Sequence, residues 1–369
     1  MSKKLFLAKG DHYFKNLGIN KETAIWEDGI RTTGGEGTFE WWYFDAEYSN
    51  GTKVVVVFYT KHRLNRKGAS QPTVLLDVTF ANGQKIIKEV SEDRGQKIRA
   101  SKAKCDVQIG ENSIQYSEGK YLVHFIDGDV EYNCTMESKI PMWRPGTGYL
   151  LFSDQQERHF GWFVAQPSAT VTATLKVKGE SFQLEGSGYH DHNWGNVDMN
   201  EIINHWYWCR ASVGPYTVIV SDIVAEKQYN YNRVPLFMLA KNGVVIEDNE
   251  ERVTIKRAAT QYHPVTGKFI DGQLLFIYIT NDVKYQIEFK RDHDIVVADL
   301  LESVGLSATE IAQAKAEGGN PTYIRCIGTV TLTIDQNGRK EVLKNEALWE
   351  QMFFGSNKDA IIGSPAVHP

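Results

Sequence analysis

Gly188-Tyr189-His190-Asp191-His192-Asn193-Trp194-Gly195 is followed ten residues later by His205-Trp206-Tyr207-Trp208-Cys209-Arg210-Ala211. Three histidines, a carboxylate and three tryptophans fall in these two stretches. Surface loops do not need that chemistry. It suits an aromatic-walled cavity that holds a few titratable groups.

Working outward, the second stretch has an earlier echo. Glu40-Trp41-Trp42-Tyr43-Phe44-Asp45-Ala46 precedes the β-branched run Lys53 to Tyr59, and His205 to Ala211 precedes Tyr216 to Val224. A looser echo sets Thr172, Thr174, Leu175, Leu184 and Trp194 against Thr329, Thr331, Leu332, Leu343 and Trp349. We read an internal repeat in which each half opens with an aromatic strand and closes with a Thr-rich hairpin. The halves are residues 1–197 and 198–369.

Between these landmarks the chain reads as β. Alternating or β-branched runs recur at Thr52–Thr60, Val74–Phe80, Tyr121–Ile126, Thr170–Lys178, Gln273–Thr280, Tyr285–Phe289 and Gly328–Ile334. Turn signals such as Ser49-Asn50-Gly51 and Gln336-Asn337-Gly338 punctuate them, which predicts an all-β fold of barrels or sandwiches. One helix is predicted near the C-terminus. Ser307-Ala308-Thr309-Glu310 reads as a capping box, and Gly318-Gly319 with Pro321 stops the helix near Glu317. Val297 to Val304 reads as a further short helix.

Composition narrows the function. Net charge is −5 and no polybasic run occurs, which argues against nucleic acid and anionic membrane as partners. No apolar run approaches a membrane span of about 18 residues. Leu5-Phe6-Leu7-Ala8 is too short for a signal-peptide core. Cys105, Cys134, Cys209 and Cys326 form no CxxC pair, so reduced, buried thiols in a cytoplasmic protein are expected. There is no G-x-S-x-G elbow, P-loop or GxGxxG, which lowers the case for serine hydrolases, NTPases and nicotinamide enzymes.

Strand alternation sorts the candidate residues. Glu40, Trp42 and Phe44 share one face; His205, Tyr207 and Cys209 share another. A carboxylate among aromatics is disfavoured as an anion and can act as an acid. Asp191 is the candidate proton donor, tuned by His190 or His192, with Glu40 or His205 placing the water. Trp42, Phe44, Tyr189, Trp194, Tyr207 and His159 are expected to line the substrate. Two other readings stand beside this one. Asp191 as a buried acceptor at a turn is purely structural. His190 and His192 could bind a metal with His205 or His159, but His-x-His is a weak signal without a Cys pair or carboxylates, so no metal is assigned. Trp143, in Trp143-Arg144-Pro145-Gly146, reads as a loop residue capping a barrel end.

These motifs, in this order from about Glu36 to Trp349, resemble the AttH/CrtC-like, lipocalin-like superfamily, which includes carotenoid 1,2-hydratase, kievitone hydratase and lipocalin-like Diels–Alderases. The resemblance implies two lipocalin-like β-domains, a hydrophobic small-molecule substrate and no redox cofactor. By motif it makes Asp191 the acid and Trp194 a cation-stabilising wall. The expected activity is a cofactor-independent hydratase adding water across an isoprenoid or prenylated alkene. A cyclase, Diels–Alderase or isomerase that preorganises a polyene is the alternative, and a non-catalytic carrier the third. The oligomeric state is left open.

Overall fold

The computed structural model describes residues 3–61, 68–153, 155–301, 307–316 and 319–354. The chain divides into two compact units. One comprises Leu7–Leu151 with Gln155–Asp198; the other comprises Met199–Pro369 with Met1–Phe6 and Phe152–Asp154. Both are built almost wholly from antiparallel strands, as the sequence predicts.

Each unit centres on one sheet. We label nine strands: β1 (Phe39–Tyr48), β2 (Lys53–Tyr59), β3 (Gln155–Val177), β4 (Glu180–Gly195), β5 (Ile203–Val213), β6 (Val253–His263), β7 (Lys268–Ile279), β8 (Thr322–Gln336) and β9 (Arg339–Phe353). The first sheet runs Lys85–Ser91, Thr73–Thr79, β2, β1, β4, β3, Val130–Ser138, Lys120–Asp127, Asn112–Ser117, Asp106–Ile109 and Arg99–Ala100. The second runs Val244–Glu247, Arg233–Lys241, Tyr216–Ala225, β5, β9, β8, Val283–Asp299, β7 and β6. The path is the same in both: the aromatic opening strand pairs with the last strand, which returns from a Thr-rich hairpin.

Alternation packs the cores. In β2, Val54, Val56 and Phe58 point inward. In the second sheet, Tyr207 and Cys209 join Phe237, Leu274, Phe276, Phe289, Leu332 and Trp349 in one cluster. All four cysteines are buried free thiols.

The looser echo needs a correction. Trp194 lies opposite Glu40, and Phe353 lies opposite His205. Both stand fourteen residues beyond their hairpin turns, at Glu180 and Arg339. Trp349 therefore matches His190, not Trp194. Pairing counts from the turn, whereas the sequence comparison had aligned one tryptophan with the other. The helix near the C-terminus is present as Ala308–Ala316. The helix expected at Val297–Val304 is not formed over its described part. Val283–Asp299 is one strand, in which Val296 and Val297 pair with Arg325 and Ile324. Residues 302–304 lie outside the described residues.

Gly161 lets the two long strands close. It sits opposite Trp194, and a Cβ there would overlap the buried indole. Gly161→Ala is expected to destabilise the protein by about 1–3 kcal/mol, the usual cost of overpacking a rigid core. A lowered urea midpoint would show it; an unchanged midpoint would mean that Trp194 moves aside freely.

Candidate functional site

β4 carries polar side chains on both of its faces. His190, His192 and Trp194 point to one side, toward Phe44, Trp42 and Glu40 of β1. Tyr189, Asp191 and Asn193 point to the other, toward Asp45, Tyr43 and Trp41.

On the inner side, the His190 ring stacks on Phe44 with centroids 3.8 Å apart, and His192 stacks on Trp42 at 4.5 Å. Both histidines meet Asp28, which the 3-10 turn Ile25–Asp28 brings into the core. His190 Nε2 lies 2.9 Å from Asp28 Oδ2, and the Tyr121 hydroxyl donates to the same oxygen at 2.6 Å. The turn is held by the Trp42 indole N–H donating to Asp28 O at 2.9 Å, and by Arg144 Nε donating to Glu27 Oε2 at 2.6 Å. Burial, with the Asp28 carboxylate beside it, pushes the Tyr121 phenol well above its ordinary range.

Glu40 is fully engaged in the same interior. Oε1 accepts from Arg31 N at 2.6 Å and from His192 Nε2 at 2.8 Å. Oε2 accepts from Thr32 N at 2.8 Å and Thr32 Oγ1 at 2.7 Å. Four bonds use the roughly four lone-pair positions of a carboxylate, so no acceptor site remains for a reacting water. Trp194 also lies on this side, with the Arg31 guanidinium 5.5 Å from its ring centre.

On the outer side, Asp191 is 8% exposed. Its Oδ2 accepts from the Trp162 indole at 2.8 Å and the Tyr189 hydroxyl at 2.8 Å, and its Oδ1 accepts from Asn193 Nδ2 at 2.9 Å. Trp143, in the loop segment before β3, packs edge-on against Trp162 with centroids 5.6 Å apart. Tyr43 and Trp41 are half-buried on this face. An open, mostly polar groove of about 620 Å³ elsewhere on this unit is lined by Leu122, His124, Asn133, Thr172 and Gln183 among others, and does not include Asp191.

His205 and Tyr207 belong to the other unit. There Arg257 Nη1 lies 2.9 Å from His205 Nε2, and His205 Nδ1 lies 2.7 Å from Asn204 Oδ1. A guanidinium can only donate, so Nε2 accepts and Nδ1 carries the proton. Burial, then the Arg257 charge, holds the His205 imidazole well below its usual value. Burial pushes Asp222 up, but Arg257 and Arg233 outweigh it and hold that carboxyl at about 2. The Tyr207 hydroxyl donates to Asp271 Oδ2 at 3.1 Å. This unit also repeats the outer carboxylate. Glu350, counted from the turn, occupies the place of Asp191, and it accepts from the Trp206 indole at 3.2 Å and the Tyr323 hydroxyl at 2.6 Å.

The structure thus unites His190, Glu40, Trp42, Phe44 and Trp194 on one side of β4, and sets Asp191 with Tyr189 on the other. His159 is half-buried, its ring 5.1 Å from that of Tyr149. The residues missed by sequence reasoning are Asp28, Trp162, Asn193 and Glu350. The only signals for them were alternation along β4 for Asn193 and a count from the hairpin turn for Glu350. Asp28 and Trp162 carried no usable signal, because they arrive from distant segments. Asp28, Cys105 and His190 are the described residues grouped closely enough to hold a metal.

A Diels-Alderase-like family model matches residues 19–294. The chain belongs to the Diels-Alderase-like family. It is 24% identical over 281 residues to the quinolone epoxide rearrangement protein penF of Penicillium thymicola, covering 71% of this chain and 77% of that one. It is 26% identical over 353 residues to a hydroxyneurosporene dehydrogenase of Chlorobaculum tepidum, covering 83% and 81%. Among solved structures, an AttH candidate from Nitrosomonas europaea matches with a TM-score of 0.62 at 14% identity, over 91% of this chain and 98% of the other. Kievitone hydratase from Nectria haematococca matches at 0.53 and 13%, over 89% and 92%. These structural likenesses show the fold. No described helix is long and apolar enough to cross a membrane.

For this Diels-Alderase-like chain, His205 sets a pH dependence of stability. Its folded pKa lies below the usual 6.5, so its contribution is fully present above about pH 6.5 and is lost as pH falls below that. Asp222 adds a separate loss only in stronger acid, below its usual 3.8 and toward 2. Melting between pH 7 and 5 is expected to fall less steeply for His205→Gln than for wild type. Parallel curves would mean that His205 titrates normally in the folded chain.

Proposed function

We propose that this protein is a cofactor-independent enzyme that protonates a hydrophobic small molecule through Asp191, and that its reaction adds water across an isoprenoid or prenylated alkene. The observation that carries the reading is the fixed carboxylate of Asp191 among aromatic side chains. The Trp162 indole can only donate, so Oδ2 is an acceptor and the transferable proton sits on Oδ1. In the structure the Asn193 amide donates to Oδ1 at 2.9 Å, so the protonated state requires that amide to turn and present its oxygen.

The alkene π pair takes the Oδ1 proton, one carbon gains a C–H bond, and the other becomes a tertiary cation. Aromatic faces such as Tyr43 and Trp41 stabilise that charge. Water adds to the cation, and the surplus proton returns to Asp191, so acid and base are one residue. Glu40 and His205 are not needed for the water. The kievitone hydratase likeness supports the hydration reading through the fold. A second reading, rearrangement or cyclisation at the same acid, is favoured by the family itself and by the penF relative. We place the protein in the cytoplasm on its four buried free thiols.

Incubation of prenylated and polyene compounds in H₂¹⁸O, followed by mass spectrometry, tests the reading. A product carrying one labelled water is expected, and Asp191→Asn should slow its formation by roughly 10²–10⁴-fold with the melting curve kept. Glu350→Gln should leave the rate nearly intact. A product of unchanged mass establishes the second reading. Substrate retained unaltered on the protein makes it a carrier, and loss of rate in Glu350→Gln alone overturns the role of Asp191.

A further inference from the structure

One cluster in the first unit is not used by this reaction. Donor atoms of Asp28, Cys105 and His190 all lie within 4.8 Å of one another, and all three residues are buried. His192, two positions along the same face, brings Nδ1 to 3.4 Å from Asp28 Oδ1. Neither of these two atoms has a hydrogen-bond partner, and both side chains are fully buried. An unpaired buried polar atom is costly, and here two lone-pair acceptors face each other, because His192 Nε2 is the nitrogen that donates to Glu40.

His190 adds an independent feature. Tyr43 O can only accept, so His190 Nδ1 donates to it at 3.0 Å, and Nε2 is the nitrogen turned to Asp28. Metal-bound histidines are oriented in this way, by a backbone carbonyl on the far nitrogen. A thiol, an imidazole and a carboxylate form a donor set suited to zinc; magnesium and calcium favour oxygen alone.

We propose that Asp28, Cys105 and His190 bind a divalent metal ion of the zinc class. The three protein donors are buried, and the metal braces the Ile25–Asp28 turn against β4. Binding replaces the Cys105 thiol proton and the proton shared by His190 and Asp28; both leave to solvent. The carboxylate is 162 residues from His190 in the chain, so the sequence showed only the weak His190-x-His192 pair.

The full chain, purified without chelator, then stripped with EDTA and titrated with Zn²⁺ or Co²⁺, tests the proposal. One equivalent of zinc by elemental analysis and a melting point raised by several degrees are expected. Co²⁺ should give a thiolate-to-cobalt absorption band that Cys105→Ser removes. No zinc retained and no rise in melting point at millimolar zinc would overturn the site, as would a cobalt spectrum indifferent to Cys105→Ser. If that variant does not fold, stoichiometry and melting of the wild-type chain decide alone. Neither readout depends on turnover, so the result is separate from the fate of the Asp191 reaction.

Discussion

The pairing of β1 with β4 fixes the chemistry of the first unit. Once Glu40 stands opposite Trp194, Trp42 must stand opposite His192 and Phe44 opposite His190. The period of two then sends Asp191 to the other side. A slip of one residue would turn Asp191 into the core and His190 and His192 outward. That slip is strongly opposed. His192 would leave Glu40 and Asp28, and two carboxylates would remain in the core with fewer partners; an uncompensated buried charge costs about 3–5 kcal/mol. The buried acid–imidazole pairs therefore act as a register lock for the strand that carries the proposed catalytic acid.

The second unit solves the same pairing with different residues. His205 takes the place of Glu40, and Arg257 and Asp222 supply the charges that surround it. Gln351 stands where His192 does and donates to the Tyr207 hydroxyl at 3.0 Å. On the outer face the likeness is closer, since Asp191 and Glu350 each take an indole N–H and a phenol O–H. The repeat is thus kept in backbone pairing and in the outward carboxylate, while the buried polar groups have diverged by sign of charge.

The fold was readable because strands announce themselves locally. Lys53–Tyr59 is four valines and two aromatics with a turn before it, and no other element suits that run. Alternation also placed Trp42 with Phe44, and Tyr207 with Cys209, correctly. It would have separated Asp191 from His190 as well, but the motif was read as one chemical unit, and neighbours in sequence were taken for neighbours in space. Val297 was misread because β-branched residues next to Ala298 and Leu300 fit a short helix as readily as a strand; only the partner strand at Ile324 decides. Asp28 was out of reach for a different reason. A carboxylate in a short turn looks like any solvated loop residue, and nothing local shows that Arg144 and Trp42 draw the turn into the core.

Separating the two faces of β4 has a functional consequence. A proton donor must be held within a fraction of an ångström of its working position by neighbours that do not themselves yield. For the proposed donor Asp191 that duty falls to Trp162, Tyr189 and Asn193, and behind them to the strand itself. The strand is immobilised from its opposite face by His190 and His192, whose aromatic stacks and carboxylate partners admit no solvent. The histidines of the motif thus support the proposed acid through the backbone. On this reading the sequence clusters acid and imidazole in Tyr189-His190-Asp191-His192 because one strand must be gripped on one face to be useful on the other.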